Sequence, residues 1–405
     1  MFYKKVFYIL LFLLIVSLIM PFFSFAADNY VWSDQSVLAN ATATKESNFD
    51  LQLESGAAIL IDQKSGEVLY AYNAHEQLRP ASVTKVMTIL LIMEALDSGR
   101  LSLDDKIPCS ENAAAMGGSQ IWLDVREELT VNDMLKAICV VSANDCTVAM
   151  AEYLAGSEEA FVEQMNQKAK ALGMNDTVFK NCHGIDEDGH VTSAYDISIM
   201  SRELLNNHPN ITNYTTIWMD TLRDGKSQLV NTNKLLRTYT GATGLKTGST
   251  SLALYNLSAS ATRNDLSLIA VIMKAPTSTI RFQEAQKLLD YGFSTFSYTS
   301  LGKKGDVIKE EAVNKGLDKT VNLVLEEDVG KIMKKGSGTN IESEVSINEN
   351  ISAPINAGDV LGNVIYTCPD GSKMQVNLVA QNSVEKINLW NMTTYLYNLW
   401  FNLFR

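Results

Sequence analysis

The sequence predicts a mixed α/β (α+β) fold, with one sheet assembled from strands early and late in the chain and a helical block between them. Three observations predict it. The early segment "GAAILIDQKSGEVLYAYNA" reads as two short strands around a Lys64-Ser65-Gly66 turn. The later segments "LKTGST", "LALYNLSASAT" and "LSLIAVIMKA" are strand-like, with a turn at Arg263-Asn264-Asp265. The intervening sequence carries helical periodicity. Strands at both ends of a helical block can share one sheet, with the helices packed against it.

The elements follow in chain order. Lys4 and Lys5 precede an apolar run over residues 6–20, Pro21 breaks it, and Ser24-Phe25-Ala26 fits a small-x-small cleavage site. Residues 1–26 therefore read as a secretory signal peptide, with an uncleaved anchor as the alternative. Residues 27–50 are polar and aperiodic, a linker. A helix is expected over residues 82–98, with Gly99 as its C-cap. "TVNDMLKAICVVSANDCTVAMAEYLAG" reads as two helices separated by a break at Ser142-Ala143-Asn144. Ser157, followed by Glu158 and Glu159, opens a further amphipathic helix. "SAYDISIMSRELLNNHP" gives another, stopped by Pro209, and "TIRFQEAQKLLDYGFSTF" a packing helix. The region 51–300 thus forms one domain. Over 301–382, short strands alternate with Gly, Asn and Asp turns, which predicts a separate small β-rich domain.

Residues 383–405 read as an amphipathic helix. Asn391, Thr394, Asn398, Asn402 and Arg405 align in one polar stripe, and Trp390, Leu396, Trp400 and Phe404 are among the surrounding apolar residues. Such a helix suits the plane of a membrane surface; packing on its own domain or on a partner subunit is the alternative.

Composition excludes several function classes. The chain of 405 residues is 46% apolar and 20% charged, which marks a globular protein, and its net charge of −12 argues against nucleic acid as a partner. The cysteines are Cys109, Cys139, Cys146, Cys182 and Cys368. Their odd number and irregular spacing match no disulfide or CxxC framework, so they read as small apolar core residues. His75, His183, His190 and His208 show no HExxH pattern. "CHGIDEDGH" lacks the carboxylate spacing of a calcium loop and is expected to be a solvated loop. Neither a metal nor a cofactor is implied.

The chemistry begins at "RPASVTKVMT". Ser82 and Lys85 lie three residues apart, so on a helix they share a face. A serine hydroxyl needs a neighbouring base to become a nucleophile. A lysine at a helix start opposes the macrodipole, but burial and a second cation depress its pKa and let it act as that base. The break at Ser142 and Asn144 places a hydroxyl and an amide in a loop. Lys246, Thr247 and Gly248 offer a cation, a hydroxyl and close backbone access. Each motif alone is common: an N-cap serine with a surface lysine, an ordinary helix break, an edge-strand lysine beside a turn glycine.

Together and in this order, Ser-x-x-Lys, Ser-x-Asn and Lys-Thr-Gly are the set of penicillin-binding proteins and class A β-lactamases. With "MGGSQIWL", "VVSANDC" and "TGLKTGST", the small β domain and the tail, the chain resembles the low-molecular-weight penicillin-binding proteins, serine-type D-alanyl-D-alanine carboxypeptidases, from about residue 50 onward. The resemblance implies a β-lactamase/transpeptidase-like sheet. It implies attack by Ser82 on the carbonyl between two D-alanines of a peptidoglycan stem peptide, with Lys85 as base and Ser142 relaying a proton to the leaving D-alanine. Asn144 would hold the substrate amide and Lys85. Lys246 and Thr247 would bind the terminal carboxylate, and the backbone N–H groups of Ser82 and Ser249 would form the oxyanion hole. Arg281 would stand near the carboxylate site, a surface arginine being the alternative. β-Lactam antibiotics would acylate Ser82. The chain would be exported and held at the outer face of the cytoplasmic membrane by its C-terminal helix.

Rival readings are a D,D-endopeptidase on the same site, a β-lactamase, and a non-enzymatic membrane-surface scaffold. A β-lactamase needs a loop carboxylate to activate the deacylating water; the nearest candidate, Glu203, falls in a predicted helix.

Overall fold

The structure, a computed structural model, describes residues 51–336, 340–388, 392, 393 and 400. The leader, the linker and most of the C-terminal segment lie outside them. In chain order the strands of the larger part are β1 (Ala57–Asp62), β2 (Val68–Tyr72), β3 (Lys106–Pro108), β4 (Glu128–Thr130), β5 (Met219–Leu222), β6 (Ser227–Val230), β7 (Ala242–Thr250), β8 (Leu254–Arg263) and β9 (Leu266–Ala275). β3 pairs with β4 and β5 with β6 as small ribbons. The other five form an antiparallel sheet in the order β2-β1-β9-β8-β7, so early and late strands share one sheet as expected.

Both faces of this sheet are covered, which is why β1 and β9 carry apolar residues on both sides. Side chains alternate across a strand. Ile59 and Ile61 of β1 and Ile269, Val271 and Met273 of β9 point into a core shared with the helical block. Ala58 and Leu60, with Leu268, Ala270 and Ile272, point the other way, onto α6 (Ser278–Thr295, numbered after the five helices below). Leu288 and Leu289 of that helix are fully buried there. Thr277 caps its start by accepting a hydrogen bond from Ile280 N–H.

The helical block comprises α1 (Lys85–Asp97), α2 (Val131–Val140), α3 (Asn144–Ala155), α4 (Glu158–Ala171) and α5 (Ala194–Asn207). α2, α4 and α5 start at threonine or serine caps, Thr130, Ser157 and Ser193. α3 ends at Gly156 in the left-handed region, which a glycine enters at no steric cost. α1 differs: its residues 85–93 are all buried, so this stretch has no solvent face. A helix apolar on all sides belongs inside the core. All five cysteines are buried and unpaired.

β10 (Phe296–Gly302) follows α6 directly and pairs with β13 (Val329–Lys334). The helical pattern read from the sequence runs through Phe296. The structure switches to strand there because Phe296 is buried in the same core as Ile332 of β13. β11 (Val307–Ala312), β12 (Thr320–Leu325), β14 (Glu342–Ile347), β15 (Val360–Thr367) and β16 (Lys373–Ala380) form a second sheet in the order β11-β12-β16-β15-β14. Its core includes Leu323, Leu325, Val364 and Leu378. The helix expected from residue 383 does not begin there. Val384 bridges to Ile355 and Lys386 to Gly316, and Val384 is buried in this core, so residues 383–388 finish the β-rich part. Residues 392 and 393 are helical; the other residues of the expected membrane helix beyond 388, apart from 400, lie outside the described ones.

Leu288→Ala removes a buried side chain where α6 seals the sheet, and should cost about 2–5 kcal/mol of stability, read as a lowered urea midpoint.

Candidate active site

Ala81–Thr84 forms a 3-10 turn and the α-helix begins only at Lys85. The sequence reading starts the helix at residue 82; the difference arises at Ala81, whose φ of +49° is left-handed and forces a tighter entry. Ser82 is half-buried, while Lys85 is 0% exposed, carried into the core by the helix it begins.

The partners of the Lys85 amine define its role. Nζ lies 2.7 Å from Asn144 Oδ1, 2.6 Å from the His183 carbonyl and 3.1 Å from Ser82 Oγ. Asn144 Nδ2 donates to the Gly117 carbonyl at 2.7 Å, which fixes Oδ1 as the atom facing the lysine. Two of the three neighbours can therefore only accept. A neutral amine has two N–H groups and one lone pair: it satisfies both acceptors and directs the lone pair at the Ser82 hydroxyl. Burial holds the Lys85 pKa well below the usual lysine range, and the nearby Lys246 lowers it further.

Ser142 lies between α2 and α3 at φ +65°, a turn that no continuing helix allows. Its Oγ accepts from Lys246 Nζ at 2.8 Å. That amine also donates to the Thr247 carbonyl at 2.9 Å. Lys246 is buried on β7, and burial brings its pKa down to about 7, with Arg281 adding to the shift. Thr247 Oγ1 lies 2.7 Å from Thr232 Oγ1, and Ser249 is exposed on the same strand. Gly248 closes the back of the site: a Cβ there would stand 2.9 Å from Pro80 O, Ser82 N and Val83 N. Only a glycine lets β7 approach the turn so closely.

Arg281 is 6% exposed, so it is not a surface arginine. Its Nη1 donates to the carbonyls of Gly248 and Asn256, and its Nε is buried without a partner. Burial lowers its pKa to about 10. Among the described residues, Lys246 and Arg281 form no ion pair with a carboxylate, so the site concentrates positive potential that suits an anionic ligand.

"CHGIDEDGH" departs from the solvated loop expected of it. Glu187 and Asp188 are exposed, but Cys182, His183, Gly184 and His190 are buried near the turn that carries Ser82. Burial, with Lys85 nearby, lowers the His183 pKa to about 3, so its ring is neutral. His183 contributes through its main-chain carbonyl, which no side-chain motif reveals. Asp145 was also missed: it is fully buried and accepts from the N–H groups of Ile121, Leu123 and Cys146, tying the "GGSQIWL" loop to α3. An acid directly after Asn144, at a helix start, was its only visible signal. Asn256 likewise joins Arg79 O to Lys274 N–H and steadies the approach to the turn. Glu203 lies on α5 and is paired with Lys168 at 3.1 Å, so it is committed to that ion pair as well as to the helix.

Comparison with known proteins identifies the family. Residues 40–277 match the peptidase S11 family, described as D-alanyl-D-alanine carboxypeptidase, and residues 296–386 match the C-terminal domain of penicillin-binding protein 5. The chain is 46% identical to the D-alanyl-D-alanine carboxypeptidase DacF of Bacillus subtilis, over 82% of this chain and 86% of that one. The structure of penicillin-binding protein 5 from Haemophilus influenzae superposes with a TM-score of 0.70 at 33% identity, covering 84% of this chain and 99% of the other. Penicillin-binding protein D2 from Listeria monocytogenes, in its ampicillin-bound form, superposes with a TM-score of 0.56 at 32% identity, covering 60% of this chain and 100% of that one. The chain belongs to the D-alanyl-D-alanine carboxypeptidase family, the S11 serine peptidases.

Proposed function

We propose that this site removes the terminal D-alanine from peptidoglycan stem peptides through an acyl-enzyme on Ser82. The observation that carries the reading is the Lys85 amine, buried and held by two obligate acceptors with its third direction on Ser82 Oγ. Ser82 Oγ forms the new C–O bond to the penultimate D-alanine carbonyl as its proton passes to Lys85. The N–H groups of Ser82 and Ser249 take the oxyanion. The C–N bond then breaks, and the departing D-alanine amine receives a proton by way of Ser142. Water adds to the ester, Ser82 recovers its proton, and the shortened peptide leaves as a carboxylate. Asn144 contributes its amide to the substrate backbone. Lys246, Thr247 and Arg281 receive the terminal carboxylate, Gly248 keeps β7 close enough for both tasks, and no cofactor takes part.

β-Lactams would enter the same path, since the Listeria relative of this fold is known in an ampicillin-bound form. We further propose that residues 1–26 are a leader for export, that 27–50 link it to a catalytic domain over 51–300, and that the small β-rich part from 301, finished by residues 383–388, is a separate domain. The apolar face of the C-terminal segment then attaches the enzyme to the outer face of the cytoplasmic membrane.

Four outcomes test this reading. Ser82→Ala should abolish both D-alanine release from a stem peptide and covalent penicillin labelling of the folded protein; retained turnover refutes the acyl-enzyme. Lys246→Gln removes the cation that lowers the Lys85 pKa, so that pKa rises and the acid limb of the kcat/KM profile moves to higher pH. In the parent enzyme, deprotonation of Lys246 near pH 7 weakens attraction for the carboxylate, so KM should climb above that pH. A chain truncated after residue 388 should move from the membrane fraction to the soluble fraction while keeping full activity on a soluble peptide.

A further inference from the structure

We propose that His190 is a positioning residue for the nucleophile: through Thr84 Oγ1 it holds the Ala81 carbonyl, and so fixes the left-handed turn that aims Ser82. The proposal rests on Ser82 being the nucleophile.

The hydrogen bonds run in one direction only. The Lys180 N–H donates to His190 Nδ1 at 2.9 Å, so that nitrogen carries no proton and the neutral ring has its hydrogen on Nε2. Nε2 lies 2.8 Å from Thr84 Oγ1, which in turn lies 2.8 Å from the Ala81 carbonyl. A carbonyl cannot donate, so the Thr84 proton is committed to Ala81 and Thr84 must accept from His190. Reversing any link would need a carbonyl donor or an N–H acceptor. Burial, opposed by Asp186 and assisted by Arg79 and Lys180, lowers the His190 pKa to about 4, which keeps the ring neutral as the chain of donors requires.

The end of this chain is the residue just before the nucleophile, and that residue is strained. Ala81 sits at φ +49° although it carries a Cβ, a region that alanine leaves unless its surroundings compel it. Its carbonyl is gripped from two sides. Thr84 donates to it, and Gly184 packs so close that a Cβ there would stand 1.9 Å from the oxygen. Thr84 precedes α1, where a threonine hydroxyl commonly caps the helix, yet it makes no cap and turns back to Ala81 instead. The ring of His190 is 2% exposed and meets Phe179 edge-on at 5.9 Å. An apolar residue would fill the same space; only an Nε2–H donor completes the chain. If Ala81 relaxes, the next peptide plane rotates, and with it the Ser82 N–H and the direction of Oγ toward Lys85.

The test uses the full-length protein and the rate of acylation by a fluorescent penicillin, followed by stopped flow well below each variant's melting temperature. Thr84→Val keeps the volume and removes the hydroxyl; His190→Leu removes the donor. Each should slow acylation by up to about 10²-fold, the cost of a small misplacement of reacting groups, with little change in the non-covalent dissociation constant. Thr84→Ser and His190→Gln, whose amide Nε2 can replace the ring donor, should recover most of the rate. The double variant Thr84→Val/His190→Leu should be no slower than the slower single, because both cut one chain. Acylation by Thr84→Val and His190→Leu within about threefold of the parent overturns the proposal, as does a loss confined to the dissociation constant or one that multiplies in the double variant. A parent protein that takes no label overturns the Ser82 reading itself, and this proposal with it.

Discussion

The structure depends on placing one amine where solvent cannot reach it. Lys85 opens a helix whose first nine residues are all buried, so burying the helix buries the lysine. A charged ammonium there would lack its hydration and face a second buried lysine. Among the described residues no carboxylate pairs with it directly. The protein supplies Asn144 Oδ1 and the His183 carbonyl, enough for two N–H groups, and leaves the hydroxyl of Ser82 for the lone pair. The same burial that is unfavourable for a charge therefore favours the neutral amine.

Much of the surrounding architecture serves this arrangement. α3 contributes Asn144 at its first residue, and Asp145 fastens the neighbouring loop to the same helix end. β7 brings Lys246 against Ser142 and Gly248 against the turn. Arg281, from the helix on the opposite face of the sheet, binds the Gly248 carbonyl and links that layer to the site. Lys246 and Arg281 bring positive charge from two elements, and among the described residues neither pairs with a carboxylate.

The fold was largely legible because its signals are local. Alternating apolar residues, serine and threonine caps, Gly156 and the Ser142 break all act within a few residues, and each lies where the pattern places it. The motif-bearing side chains were legible for a similar reason: Ser82 and Lys85 share a turn. What was not legible depends on contacts distant in sequence or on the main chain. His183 acts through a carbonyl, Asp145 through the N–H groups of another loop, and Asn256 by clasping Arg79. Residues 182–190 look solvated because their carboxylates are conspicuous, whereas the packing is done by the histidines and glycine between them. The start of β10 was missed because the burial of Phe296 depends on Ile332, which arrives a whole strand pair later.

The order of strands in the main sheet carries a further consequence. β1 lies between β2 and β9, with Ile59 opposite Val271, so the first strand to be synthesised has one permanent neighbour from the last. Until that late hairpin emerges, β1 and β2 are an isolated ribbon, which is marginal by itself in water. Closing so long a loop is slow, and topologies dominated by such distant pairings fold late. In a nascent copy of this chain the main sheet thus stays incomplete until β9 has been made.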